Sequence, residues 1–550
     1  MVADLRRFLR RDSILAVIVL GMALRRWIRF PLMFVALVVA GYFIAHTTKP
    51  EKPMVAKLSA SPRDPFSGGD DEARKFRSGE RPEARLTPDT EALGKGAIAG
   101  QRSLVFADRE SMERFLAKIK GRGFSVLGRI DALNALRIGF LNAAELASLL
   151  DGTEQTGFIF PVFVPELPDG TIQPGAVPLG NGLASWLGVA GYDRTTWGNG
   201  VLVAVLDTGV SPNSSVSART KQVSLVDLPS DLTTLNGHGT AVSSLILDVA
   251  PGSSILSIRI ADDNGTSNSF LIAQGILAAV DSGAKVINIS MGGDGYSAIL
   301  ESAVQYAQEQ GVVIIAAAGN KGINQIAQPA SLPGVIAATS VDAVGDHLLF
   351  SNTGSTSAYS APGYAVNAEG TDGGIVSFTG TSASAPIGAG TIAATMSNNV
   401  NKPLSATQAV EQINSALNEA GPPGADPTYG AGLLDLGRVM QSSTAGIVDA
   451  AVASQWVVGN SNGLTLQVTV QNRGTTPLFN VPVQVTTPGG TQSMNVGSLA
   501  PGKTQTFQVA VPNPTGPITF QSSIGVSNGQ SDVNPANNRR IDVFTPSAAQ

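Results

Sequence analysis

The alternation of apolar and polar positions predicts a small α/β domain over residues 100–166. Two stretches with apolar residues three and four positions apart are predicted as helices, at 110–120 and 143–150. Short apolar strands surround them, and the last strand is predicted at 157–164. The resulting order, β-α-β-β-α-β, is typical of a ferredoxin-like α+β fold.

Residues 167–445 alternate strands and helices in a different way. Their strands are continuous apolar runs, as expected for parallel strands buried on both faces. These runs lie at 201–206, 255–260, 286–289, 312–317 and 335–338, with helices predicted at 269–282 and 298–310. The pattern predicts an α/β fold with a mostly parallel sheet and helices on both faces. Ligands of such sheets bind beyond the carboxyl ends of the strands, which is where Asp207 and Asn320 fall.

From 446 to 550 the helical periodicity ends and short alternating strands follow, for example at 464–470 and 506–509. Turn sequences such as Pro501-Gly502 separate these strands. The region is therefore predicted to be a separate antiparallel β-sandwich.

Apolar runs separated by arginines occupy most of residues 1–48. The run at 30–45 approaches the ~20 residues that cross a bilayer. The arginines before it favour an amino terminus inside and the remainder of the chain outside. The pattern predicts an uncleaved membrane anchor; the alternatives are a buried core helix, a cleaved export signal, and a true start at Met22. Residues 49–99, rich in Pro, Gly, Ser and charge, are predicted as a flexible linker.

The composition of the 550-residue chain limits which partners and catalytic groups it can have. Its formal net charge of -5 is too mild to indicate a nucleic-acid partner. It has no cysteine, which excludes disulfides and thiolate chemistry. An imidazole base must be one of three histidines, of which His46 borders the predicted anchor and His347 lies in a polar turn. His238 is the remaining candidate.

Small residues fill positions 380–390 and predict a helix that packs deep in the core, with Ser382 at its mouth. Unpaired N–H groups and the dipole at the start of a helix suit a developing oxyanion. A serine nucleophile also needs an imidazole to accept its proton and a carboxylate to orient that imidazole. His238 and Asp207 could supply these groups. Each residue taken alone has an equally good structural explanation. Asp207 and Ser382 could each be a helix cap, and His238 could be a residue of a turn.

Together, three motifs resemble the subtilisin family of serine proteases, whose triad has the order Asp, His, Ser. They are Asp207-Thr208-Gly209, Asn236-Gly237-His238-Gly239-Thr240 and Gly380-Thr381-Ser382. The resemblance implies a subtilisin-like fold with Asp207, His238 and Ser382 as the catalytic residues. It further implies that Asn320 donates to the oxyanion, and that substrate is bound by Ser290, Met291, Gly292, Gly293 and Gly319. The chain departs from the family pattern after Ser382, where the usual methionine is Ala383.

The resemblance also gives a role to residues 100–166. Subtilisin-like precursors carry a ferredoxin-like pro-domain that assists folding and inhibits the site until it is cleaved. Residues 161–166 are expected to lie along the substrate groove, with self-processing between about 164 and 185. An uncleaved regulatory module is the alternative.

Residues 446–550 resemble bacterial cell-adhesion-related immunoglobulin-like modules at 470–474, 499–503 and 532–538. The resemblance implies a spacer or a docking domain for a cell-surface partner; a cap that only adds stability is the alternative.

No cofactor is required for this chemistry. The sequence Asp262-Asp263-Asn264-Gly265 offers oxygen ligands for a structural calcium ion, but it is equally a good turn, so calcium is left unassigned.

The sequence therefore predicts a membrane-anchored serine endopeptidase, made as a self-processed precursor, that hydrolyses protein or peptide substrates outside the cytoplasm. The alternative is a non-catalytic surface adhesion protein that uses the protease fold as a scaffold.

Overall fold

The structure is a computed structural model and describes residues 89–167, 172–226, 236–398, 403–460, 463–511, 516–527 and 529–546. The predicted membrane anchor and most of the predicted linker lie outside these residues. Within the described part of the chain, none of the helices combines the length and the apolar character needed to cross a bilayer.

The first domain is an antiparallel four-stranded sheet with two helices packed on one face. Its elements are α1 (Thr90–Gly94), β1 (Gln101–Val105), α2 (Arg109–Ile119), β2 (Ser125–Ile130), β3 (Ala135–Gly139), α3 (Ala143–Leu149) and β4 (Gln155–Phe158). The strand order β2-β3-β1-β4 is that of the ferredoxin-like fold. Met112, Phe115 and Ile119 of α2 form the core with Leu104 and Leu136 of the sheet.

Two sequence predictions for this domain were wrong in detail. The sequence predicts a flexible linker over residues 89–99, but α1 lies there and Asp89 forms a two-pronged ion pair with Arg102, at 2.6 and 2.9 Å. The strand predicted at 157–164 is two strands. Residues 157–158 end β4, whereas β5 (Pro161–Phe163) pairs with residues 266–268 of the central domain.

The central domain is built on a seven-stranded sheet. Its strands are β6 (Leu202–Asp207), β7 (Thr220–Ser224), β8 (Ser254–Arg259), β10 (Val286–Ile289), β11 (Val313–Ala317), β12 (Ile336–Val341) and β13 (Ser357–Pro362). Every neighbouring pair is parallel, in the order β13-β12-β11-β10-β6-β8-β7. The short strands β9 (Thr266–Asn268), β14 (Val366–Glu369) and β15 (Ile375–Phe378) lie outside this sheet.

Helices cover both faces of this sheet. They are α4 (Leu183–Trp186), α5 (His238–Val249), α6 (Ser269–Asp281), α7 (Ala298–Glu309), α8 (Thr381–Ser397), α9 (Ala406–Ser415) and α10 (Leu436–Gln441). α5 and α8 contribute to one apolar core, and α6 and α7 to the other. The strand and helix positions confirm the predicted α/β class. The helix that begins at His238 had not been predicted.

The helix α8 runs through the first of these cores and is buried along nearly its whole length. A methyl group at Gly388 would lie 2.4 Å from Ile315 Cδ1, and one at Gly390 would lie 2.7 Å from Val249 Cβ. Real Cβ atoms do not approach other atoms so closely, so a larger residue at either position would force its neighbours to move. The small residues therefore let α8 pack directly against the sheet and α5, as the sequence predicts.

The last region is an antiparallel sandwich of a three-stranded and a four-stranded sheet. Its strands are β16 (Ala450–Asn460), β17 (Gly463–Asn472), β18 (Leu478–Thr487), β19 (Gly490–Leu499), β20 (Thr504–Val511), β21 (Ile518–Ile524) and β22 (Arg539–Phe544). Alternate residues of β17 and β18, such as Leu466, Val468, Val483 and Val485, fill the space between the sheets. The predicted all-β class of this region is confirmed.

Candidate active site

Asp207 and His238 come from neighbouring elements on the carboxyl side of the parallel sheet. Asp207 is the last residue of β6, and His238 is the first residue of α5. The imidazole Nδ1 lies 2.9 and 3.0 Å from the two carboxylate oxygens of Asp207. Gly239 allows this approach, because a methyl group there would lie 2.4 Å from the carbonyl oxygen of Gly209. The pair is the arrangement that orients an imidazole and leaves its Nε2 for proton transfer.

Ser382 lies in the first turn of α8, where backbone N–H groups have no partner within the helix. Its hydroxyl donates to the carbonyl oxygen of Ser290 at 3.2 Å. Ser290 also donates to Ser382, because its Oγ forms a hydrogen bond of 3.1 Å to the Ser382 carbonyl oxygen. Among the described residues, His238 Nε2 has no hydrogen-bond partner.

Asn320 follows β11 and faces the same helix start. Its side-chain oxygen accepts hydrogen bonds from the backbone N–H and the hydroxyl of Thr381, at 2.9 and 2.8 Å. Because the oxygen is engaged by Thr381, the amide nitrogen is available to a different partner. It donates to the carbonyl oxygen of Pro165 at 3.2 Å.

The residues around Pro165 lie in a cleft as an extended strand. We call residues 161–165 the cleft segment. On one side β5 pairs antiparallel with β9, and Val164 donates to the Gly265 carbonyl at 2.9 Å. On the other side Phe163 and Gly292 exchange two backbone hydrogen bonds, of 3.1 and 3.0 Å. An added strand held by backbone pairing on both edges is a common mode of peptide binding.

The side chains of the cleft segment alternate between core and solvent. Val162 and Val164 are 2% and 7% exposed and belong to the apolar core that also contains Phe270, whereas Phe163 is 44% exposed. The cleft therefore accepts apolar side chains at alternate positions and leaves the position between them open.

The predicted substrate-binding residues occupy different places around this strand. Gly292 pairs with it through its backbone, as described above, whereas Ser290 is bonded to Ser382. Met291 is fully buried and belongs to the apolar core beneath the cleft. Gly293 pairs with Gln328 on its far side. Gly319 donates to the hydroxyl of Thr381 at 3.1 Å, so it supports the Asn320 segment.

Sequence reasoning missed the second edge of the cleft, at Gly265 and β9. The sequence feature that marks this edge is Asp262-Asp263-Asn264-Gly265, which the sequence alone indicates only as a turn or a calcium site. In the structure Asp262 accepts hydrogen bonds from the N–H groups of Asn264 and Thr266, at 3.0 and 2.9 Å. Asp263 pairs with Arg259 at 2.7 Å. Both carboxylates thus already have partners. The described residues contain no cluster of three or more acidic or histidine side chains suited to a metal ion.

Comparison with known proteins agrees with this geometry. Residues 198–432 match the model of the subtilase family, peptidase S8. The chain is 34% identical over 261 residues to the thermostable alkaline protease of Halalkalibacterium halodurans, covering 46% of this chain and 70% of that protein. It is 32% identical over 255 residues to subtilisin Savinase of Lederbergia lenta, covering 45% of this chain and 93% of that protein.

The chain belongs to the subtilase family. Membership makes it a subtilisin-like serine endopeptidase by class, and it does not favour the alternative of a non-catalytic adhesion protein. Among solved structures, this subtilase is 28% identical to the prenylagaramide maturation protease PagA, with a TM-score of 0.41 over 45% of this chain and 95% of that one.

Proposed function

We propose that this subtilase hydrolyses peptide bonds through Asp207, His238 and Ser382, and that its first substrate is its own chain. The observation that carries the proposal is the position of Pro165, whose carbonyl oxygen accepts a hydrogen bond from Asn320. An oxyanion donor is expected to lie on the carbonyl that is attacked. The bond next to that carbonyl, Pro165–Glu166, is therefore the proposed processing site. It falls within the interval expected from the sequence.

The proposed chemistry is acyl transfer. Ser382 Oγ forms a bond to the Pro165 carbonyl carbon while its proton passes to His238 Nε2. His238 then gives this proton to the nitrogen of Glu166 as the C–N bond breaks. A water molecule, deprotonated by His238, attacks the ester carbon, and Ser382 recovers its proton as the ester opens. Asp207 holds the imidazole tautomer throughout, and Asn320 stabilises the negative oxygen.

The first domain would then act as an intramolecular inhibitor. Its contact with the central domain supports this role, because Gly128 in β2 lies so close to Phe270 of α6 that a methyl group would approach the ring to 2.6 Å. Ile130 and Ala135 also belong to the apolar core that contains Phe270. After cleavage the cleft segment would remain as a bound product until the domain leaves.

The test compares purified Ser382→Ala with wild type in two assays. Hydrolysis of an unstructured protein should be lost, and the full-length band should persist where wild type releases a fragment ending at Pro165. Ser384→Ala is the matched control, since its hydroxyl bonds to Ser340 Oγ at 2.7 Å, outside the proposed site. Retained hydrolysis and processing in Ser382→Ala would refute the proposal.

The proposal has two further parts, the location of the protein and the role of the sandwich. The location, anchored in the membrane with the catalytic domain outside the cytoplasm, rests on the arginine-flanked apolar runs of residues 1–48. Protease accessibility of the sandwich in intact cells would test it. For the sandwich itself we propose a stabilising cap, because Gln471 is buried against the central domain. A surface-docking role would need an additional partner site.

A further inference from the structure

Phe160 lies directly before the cleft segment and is the sixth residue before the proposed processing bond. Its side chain is 7% exposed. The ring lies against Gly295 of the central domain, where a methyl group would approach the ring atoms Cδ1, Cγ and Cε1 to 1.9, 2.3 and 2.4 Å. Real Cβ atoms do not come so close to other atoms, so the ring occupies the space that a side chain at position 295 would need.

The ring also explains why position 295 is a glycine. Glycine is needed where the backbone adopts a positive φ, but Gly295 does not adopt one. The missing side chain therefore serves to make room. An aromatic ring is flat and packs closely on a stretch of backbone without a Cβ atom, so this surface is shaped to receive an aromatic side chain.

The central domain also holds the backbone of Phe160. The Phe160 N–H donates to Ser269 Oγ at 3.1 Å, and the Ser269 N–H donates to the Phe160 carbonyl at 2.9 Å. Ser269 is the first residue of α6 and is 1% exposed. These two bonds fix the position of residue 160 and thereby place its side chain over Gly295.

Residues of the first domain cover the same ring. Ala92, Ala97 and Phe158 form one small apolar cluster with Phe160, and the centroids of the two phenyl rings are 6.3 Å apart. All of these residues precede the proposed processing bond and would leave with the first domain. Gly295 and Ser269 would stay with the central domain and become accessible to another chain.

We propose that Gly295 and Ser269 form a binding site for an aromatic side chain at the sixth residue before the cleaved bond. Phe160 occupies this site in the precursor, and a substrate residue occupies it in the processed enzyme. The preferred substrates are therefore extended polypeptides with an aromatic residue at that position, rather than peptides that begin after it. The inference rests on the proposed function, which supplies the position of the cleaved bond.

The primary experiment measures hydrolysis by the processed enzyme of acetyl-X-Pro-Val-Phe-Val-Pro-Glu-Leu, the sequence of residues 160–167 with X at position 160. KM should be about fivefold higher for X as alanine than for X as phenylalanine, since roughly half of the phenyl surface would be buried on Gly295. The value of kcat should change little, because the ring lies far along the chain from the cleaved bond. Equal KM values for the two peptides would overturn the inference.

Gly295→Ala tests whether this preference comes from the proposed site. The added methyl group takes the place of the ring, so this variant should hydrolyse the phenylalanine and alanine peptides with the same KM. Gly497→Ala is the matched control, because a methyl group there has no atom within 4 Å, and it should keep the fivefold preference. A preference that survives in Gly295→Ala would contradict the inference.

Ser269→Ala separates the side chain of the substrate from its backbone. The Ser269 hydroxyl accepts from the backbone N–H of residue 160, so its loss should raise KM alike for both peptides and leave their ratio unchanged. Loss of the preference in Ser269→Ala together with its retention in Gly295→Ala would show that Gly295 does not bind the ring.

Failure of this inference is distinguishable from failure of the proposed function. Hydrolysis of both peptides with equal KM would leave the protease assignment intact and remove only the aromatic site. Absence of hydrolysis of either peptide, together with no labelling of Ser382 by a fluorophosphonate, would remove both.

Discussion

The central domain is joined to its two neighbours in contrasting ways. The first domain contacts it through the apolar packing of β2 against α6 and through the cleft segment, which is held largely by backbone hydrogen bonds to Gly292 and Gly265. The sandwich is held by side chains. Gln471 donates to the Leu417 carbonyl at 2.9 Å and accepts from the Glu419 N–H at 3.1 Å.

Arg438 is the centre of this second contact. Its guanidinium donates to Ala416, Leu417, Asn418 and Arg473, at 2.8 to 3.0 Å. Burial lowers the pKa of Arg438 to about 10.

The difference indicates two purposes. Backbone pairing places the Pro165 carbonyl on Asn320 and is independent of most side chains, so it suits the proposed role of a segment that is cleaved and replaced by substrate. A buried arginine that donates to several carbonyls holds the surfaces of the two domains in one arrangement, and this contact contains no peptide bond that is to be cleaved. We therefore expect changes at the first contact to alter rates and changes at the second to alter stability.

The largest effect is expected for Ser382→Ala. Loss of the nucleophile should lower peptide turnover by about 10⁶-fold, the magnitude known from subtilisin itself. Processing after Pro165 should stop as well, while the free energy of unfolding changes little. Steady-state kinetics and urea denaturation of the same preparation would measure both, and a variant that unfolds early would point to a structural role for this serine.

Asn320→Ala should lower turnover by about 10² to 10³-fold, again a magnitude known from subtilisin. The amide nitrogen acts on the developing oxyanion, so kcat should fall while KM stays nearly constant. Processing should slow in parallel, because Pro165 occupies the same donor. A rise in KM without a fall in kcat would contradict the role assigned to Asn320.

Arg438→Ala should leave the processing rate unchanged but destabilise the protein by about 2 to 4 kcal/mol, since several buried carbonyls lose a charged donor. Arg114→Ala is the control: this arginine pairs with Glu110 on the surface at 2.9 Å, and its loss should cost less than about 1 kcal/mol. Equal destabilisation by the two variants would show that Arg438 does not secure the sandwich.

The smallest effect is expected at acid pH and concerns His347 of the central domain. Burial lowers the pKa of His347 to about 4, so the folded state binds this proton less readily than the unfolded state. The free energy of unfolding should then fall as pH drops from about 6.5 to about 4, by on the order of 1 to 3 kcal/mol.

His347→Gln should weaken this dependence on pH, as measured by denaturation at several pH values. Neighbouring charges act on the same region: lost hydration and Asp342 raise the pKa of Asp346, which Arg540 partly opposes. Because Asp346 is present in both proteins, the difference between wild type and variant isolates the histidine. An identical pH dependence would contradict the assignment.

Much of the central domain was predictable from the sequence. Apolar runs that end in Asp207 and near Asn320 predicted the parallel sheet and the edge at which its ligands bind. Small residues from 380 to 390 predicted the deep packing of α8. These features are local, because a strand buried on both faces and a helix without bulky side chains each leave a pattern in consecutive residues.

Contacts between domains leave no such pattern. The stretch 157–164 has the apolar character of one strand, yet Phe158 ends β4 while Pro161 begins a strand paired with β9. His347 follows a polar turn, yet its Nε2 is buried, with no partner among the described residues. Arg438 and Gln471 are unremarkable in sequence and acquire their role only where two domains meet.

The central claim is that His238 activates Ser382 as a nucleophile. Its most direct test is labelling of the purified enzyme with a fluorophosphonate, followed by peptide mass spectrometry. The account predicts one rapidly labelled serine, Ser382, and labelling slowed by orders of magnitude in His238→Ala. Labelling of another serine, or equal labelling in His238→Ala, would contradict it.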